Sequence, residues 1–219
     1  MIEDTQLLHR YAETADDAAF AKLVGRKVNF VSSAALRQVG GDATLAGDVT
    51  QQVFLDLARK ARSLTRHTTL AGWLYTSTRF AATKAVRAQQ RWHQRNREAQ
   101  AMHQSEHAAS PEPSWAQLRP VLDAALGELG ERDREALLLR FFEDRPLAEV
   151  GTRIGLSENS ARMRVDRALD KLRAALAKRG VTSTAAALGL ALSQQAVTAA
   201  PAGLAAATTA TALAGAAAT

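Results

Sequence analysis

Apolar residues recur three and four positions apart along most of this chain, and the two-residue alternation of a half-buried strand is nearly absent. In the first hundred residues the spacing predicts helices over 5–11, 16–39, 44–61 and 70–100. Gly40-Gly41-Asp42 breaks the second from the third, and residues 63–69 break the third from the fourth. The most informative stretch is 147–173. Leu147, Val150 and Ile154 make one buried face, Gly155 allows a tight turn, and Ser157 is a good N-cap for a second helix. On that helix Ala161, Val165, Ala168, Leu169, Leu172 and Leu176 share one arc, and Arg162, Met163, Asp166 and Arg167 share the other. This is the pattern of a helix-turn-helix whose second helix enters the DNA major groove, although an ordinary helical hairpin with a solvated face has a similar outline.

The fold class expected is all-α: two small helical domains joined by a flexible linker, with an Ala-rich C-terminal tail. Residues 1–97 form the first unit. Residues 98–118 are polar, contain Pro111 and Pro113, and read as the linker. Residues 119–180 form the second unit, a helix-turn-helix domain. All charged residues precede Val181, and 181–219 is a low-complexity tail with 17 Ala among 39 residues. Such a tail is too weakly apolar for a spanning helix. A helix over 184–200 that packs on a folded domain is favoured over a disordered appendage, because an uncharged Ala/Leu segment has little reason to stay solvated.

Charge narrows the partner. The 28 Lys and Arg against 22 Asp and Glu leave a net +6, which favours an acidic partner such as nucleic acid. Between Arg79 and Arg97 there are six Lys and Arg and no acid, and Lys84, Arg87, Arg91 and Arg95 fall on one narrow stripe of a helix. Like charges stacked this way repel each other, and a neighbouring polyanion relieves the repulsion. Trp73, Tyr75, Phe80 and Trp92 sit beside the stripe, as stacking on unpaired bases would require, although Trp73 reads better as core. In the third helix Val49, Val53, Phe54 and Leu57 face one way. Asp48, Gln51, Gln52 and Asp56 face largely the other, a polar, non-basic surface suited to protein rather than DNA.

Enzyme chemistry finds little support. Zero Cys excludes disulfides, thiolate metal sites and a Cys nucleophile, and it fits a cytoplasmic protein. The acidic, non-apolar N-terminus is not a secretory signal. His103-Gln104-Ser105-Glu106-His107 spells the inverted zinc-protease motif, but it lies in the polar linker, where a rigid helix, a third ligand and a cleft are not expected. No catalytic residue, metal site, cofactor or small-molecule substrate is expected.

These pieces occur in a familiar order, and the chain resembles an extracytoplasmic-function (ECF) sigma factor of the sigma-70 family over about residues 1–178. Asp48-Val49-Thr50-Gln51-Gln52-Val53-Phe54 resembles the family's docking motif. Trp73-Leu74-Tyr75 with the basic helix resembles the part that melts and reads the minus-ten element. Leu126-Gly127-Glu128-Leu129 and Arg134–Phe142 resemble the opening of the domain whose helix-turn-helix reads the minus-thirty-five element. The resemblance implies a non-enzymatic subunit that binds core RNA polymerase, through the β′ clamp coiled coil and the β flap, and directs promoter-specific initiation. It implies polymerase contacts at Asp48, Gln51, Gln52 and Asp56. Downstream-element contacts would come from Arg66, Trp73, Arg79, Phe80, Lys84, Arg87, Arg91 and Arg95. Upstream-element contacts would come from Ser157, Asn159, Ser160, Arg162, Met163, Asp166 and Arg167. An anti-sigma factor is a candidate further partner. Gln52 stands where the family usually has an acid, and Phe80 where it frequently has Asn. The rival reading is a stand-alone helix-turn-helix regulator, which would bind duplex promoter DNA stably without polymerase.

Overall fold

A computed structural model describes residues 3–65, 69–97 and 115–217, and among the described residues every regular element is a helix. The first unit comprises α1 (Asp4–Thr14), α2 (Asp17–Gln38), α3 (Ala43–Leu64) and α4 (Ala71–Arg97). Asp16 and Asp42 cap the second and third helices by accepting from the amides of Ala19 and Leu45, each satisfying a donor that a helix start leaves orphaned. Phe20, Leu23, Phe54, Leu57 and Leu74 are fully buried between these helices, as the three-and-four spacing requires.

The second unit comprises α5 (Trp115–Glu128), α6 (Glu131–Leu137), α7 (Leu147–Ile154) and α8 (Glu158–Ala177). Helix α5 begins inside the segment read as linker, because Trp115 and Leu118 already contribute to the core. Between α6 and α7 the chain runs through a π-helical turn, Leu138–Phe142, that periodicity does not announce. Asp133 of α6 ties the unit together by accepting from Arg164 (3.0 Å) and Lys171 (2.5 Å) of α8. Burial pushes this carboxyl up, but Lys171 and Arg164 outweigh it and hold it below the ordinary Asp value.

The two units pack on each other through a junction of buried charges. Arg37 of α2 lies at its centre. Its guanidinium spans both carboxylate oxygens of Asp123 in α5 (2.8 and 3.3 Å), donates to the carbonyl of Ala196 (2.6 Å), and stacks 5.4 Å from the Phe142 ring. Phe142 in turn meets Phe30 edge to face at 6.2 Å. Lys27 bridges Asp4 (2.6 Å) and Glu143 (2.7 Å), all three side chains nearly inaccessible. The Tyr75 hydroxyl donates to the Asp123 carbonyl at 3.1 Å; burial first, then Asp123, raises its pKa.

The tail is ordered as the favoured expectation has it, but as two helices: α9 (Ala185–Gln195) and α10 (Leu204–Ala217). The N-cap Thr184 starts α9 one residue from the expected position, and α9 ends five residues earlier than expected. Helix α9 packs on α8 and the π-helical turn. The chain then crosses to the first unit, where the amides of Thr198 and Ala200 donate to Ser33 and Asn29 (both 2.9 Å). Helix α10 packs along α3 and α2. Among the described residues no helix is long and apolar enough to cross a membrane.

Candidate nucleic-acid and polymerase interfaces

The helix-turn-helix is built as its sequence dictates. Helix α7 ends on Gly155 at φ 71°, a left-handed conformation that favours glycine, and the Leu156 amide folds back to the Gly151 carbonyl at 2.7 Å. Gly151 is needed too: a Cβ there would lie 2.6 Å from the Leu156 carbonyl oxygen, so any larger residue would force the turn open. Ser157 then caps α8 by accepting from the Ser160 amide. Ala161, Val165, Ala168, Leu169, Leu172 and Leu176 are all buried. Ser157, Asn159, Ser160, Arg162, Met163, Asp166 and Arg167 are all exposed. Met163 is 62% exposed, an unusual position for a large apolar side chain with no contact to make. The resulting surface offers two guanidinium groups, one carboxylate, small polar groups and one thioether, which suits base edges and phosphates in a major groove.

Helix α4 presents the second set. Arg79, Lys84, Arg87 and Arg91 are exposed, and neither Lys84 nor Arg87 has an ion-pair partner among the described residues. Phe80 is 72% exposed beside them. The side chain of Arg95 lies outside the described residues, as does Arg66 altogether. Trp73 is half-buried against the core, in line with its reading as a packing residue. The second unit also crowds this end of α4. The Thr69 hydroxyl bonds Glu135 of α6, and Trp73 shares a small cavity with Arg134 and Glu135. The Arg79 guanidinium occupies the space over Gly127 of α5 that a Cβ would fill.

The third set lies on α3. Asp48 and Gln52 are exposed, Gln51 and Asp56 are half-buried, and the Gln52 amide donates to Asp56 at 2.9 Å. Val49, Val53, Phe54 and Leu57 are buried behind them. Two neighbours of these residues lie outside the motif reading. Leu55 sits within the polar stripe, half-buried, and Arg59 follows one turn later. The zinc-like motif at His103–His107 lies outside the described residues, and among the described residues no cluster of His, Asp and Glu is placed to hold a metal.

Comparison with known proteins accounts for both units. Residues 23–92, from α2 through most of α4, match Sigma-70 region 2, and residues 125–174, containing the helix-turn-helix, match Sigma-70 region 4. RNA polymerase sigma factor CarQ of Myxococcus xanthus is 33% identical over 169 residues, covering 76% of this chain and 93% of CarQ. The matched regions coincide with the exposed basic helix and the exposed recognition helix. The chain therefore belongs to the sigma-70 family of transcription initiation factors, as a member of its extracytoplasmic-function type.

Proposed function

We propose that the three surfaces divide promoter work among them. The exposed face of α8 reads the upstream promoter element, the basic stripe of α4 follows the strand backbone at the downstream element, and Asp48, Gln51, Gln52 and Asp56 of α3 dock on the β′ clamp coiled coil of core polymerase. The second unit would also meet the β flap. The protein works in the cytoplasm, beside polymerase and DNA, and leaves the chemistry to polymerase. Its regulation would extend to an anti-sigma factor able to cover these same faces.

The observation that carries the reading is the sorting of α8. Every residue of the upstream set, from Ser157 to Arg167, is exposed, while the opposite arc of α8 is buried. The stripe on α4 supports the melting role, because Lys84 and Arg87, exposed and without an ion-pair partner among the described residues, are ready to replace counterions on a phosphate backbone. Arg87→Glu with Arg91→Glu turns attraction into repulsion at two points of that track. The double reversal should abolish the permanganate-reactive bubble at a cognate promoter while core binding persists. A normal bubble would remove α4 from the melting step.

A further inference from the structure

Leu55 lies between Gln51 and Gln52 around α3, and along the helix it lies between Gln52 and Asp56. It is therefore inside the footprint of any partner that contacts all four docking residues. In this structure that position is occupied by the chain's own α10. Gly215 comes so close that a Cβ there would lie 2.7 Å from Leu55 Cδ1. One turn along, the Arg59 guanidinium donates to the Gly215 carbonyl (2.9 Å). Thr208 and Ala212, four residues apart on α10, are completely buried in the same packing.

We propose that α10 is a built-in competitor for core polymerase: the closed chain is the form that does not dock, and docking requires α10 to leave α3. This rests on the assignment of the docking face made above. Three features suit α10 to the part. It is uncharged, so seated over Leu55 and beside the Arg59 guanidinium it brings no ion of its own that would need a partner. Its contact surface is mostly Ala, Thr and Gly, which bury little apolar area per residue, so the helix is held weakly enough to be displaced. It is tethered through residues 196–203, whose backbone is fixed to Arg37, Ser33 and Asn29, so it returns to the same face. A tail seated nine-tenths of the time lowers apparent affinity about tenfold, since only the open fraction binds.

The test uses the full chain. Ala212→Glu with Gly215→Glu puts charge into the α10 contact and leaves α3 untouched. This variant should bind core polymerase about tenfold more tightly than the parent chain. A second variant locks the tail instead. The chain has no cysteine, so Leu55→Cys with Gly215→Cys allows one disulfide. The oxidised form should lose polymerase binding, and a reductant should restore it. Asp48→Ala in the parent and in the charged-tail variant separates the two assumptions. If Asp48→Ala weakens binding in both, but the charged and locked tails bind like the parent, the competitor is overturned and the docking face stands. If Asp48→Ala changes nothing in either, the docking assignment fails and the competitor fails with it.

Discussion

The polar face of α3 and the recognition face of α8 are both helix surfaces set against a buried apolar arc, yet one is partly covered and the other is fully open. On α3, Gln51, Leu55 and Asp56 are half-buried and α10 packs along the helix. On α8, every residue from the upstream set is exposed. Composition explains the difference. The tail carries no charge from Val181 onward. It can cover the aliphatic Leu55 and give a carbonyl to Arg59, but over Arg162, Asp166 and Arg167 it would have no countercharge to offer. A neutral segment therefore seats on Leu55, an apolar position between the charged groups of α3. The positive faces stay open for a partner that brings its own negative charge.

The strongest disturbance of this contrast should come from the junction. Asp123→Ala leaves the buried Arg37 guanidinium without its carboxylate, and breaking a buried pair costs about 3–5 kcal/mol. A marked fall in melting temperature should follow. Hydrogen exchange should quicken in α9 and α10, which Arg37 reaches through the Ala196 carbonyl, more than along α8. Equal loss of protection in both would mean that the tail is not specially dependent on this tie.

On the open side, Arg162→Ala should affect DNA without affecting the fold, since Arg162 makes no ion pair among the described residues. An Arg paired to guanine contributes about 1–3 kcal/mol of base discrimination. An Arg on phosphate contributes mainly affinity and a salt slope of about −0.9 per neutralised phosphate. Transcription from single-base promoter variants at several salt concentrations distinguishes the two. If promoter preference and salt slope are both unchanged, Arg162 is not at the DNA.

Acid should reveal a smaller difference. Burial pushes Asp4 up, but Lys27 and Arg26 hold it below its ordinary 3.8, and Asp133 is lowered by Lys171 and Arg164 against the same opposing effect. A depressed folded pKa means stability that is present above the unfolded value and lost as pH falls through the folded one. Melting temperature should therefore hold near neutrality and fall below about pH 4. Asp133→Asn should remove part of that acid dependence in the second unit. An unchanged acid profile in the variant would show that the Asp133 pairs do not contribute to it.

The helix-turn-helix was legible because each part of it is local: a glycine needed at φ 71°, a serine cap, and apolar residues repeating within one helix. The existence of α1 to α4 followed from the same short-range pattern, although α1 and α3 each run three residues past their expected ends at 11 and 61, and so did the exposed face of α8. The π-helical turn was not legible, because Leu138–Phe142 reads as one more apolar helical run until Phe142 has to reach Phe30 and Arg37 of the other unit.

By itself, then, the amino-acid sequence determined the helical class, the two units, the sorting of each helix into a buried and an exposed arc, and the order of motifs that marks the family. Tertiary structure alone decided how the units close on each other and where the tail lies. Arg37 looks like any arginine near the end of an amphipathic helix until Asp123, Phe142 and Ala196, 86 to 159 residues away, surround it. An Ala-rich helix offers small side chains on every side, so its own pattern names no partner. It was the shape of the surface around Leu55, assembled only in the folded chain, that selected where α10 would pack.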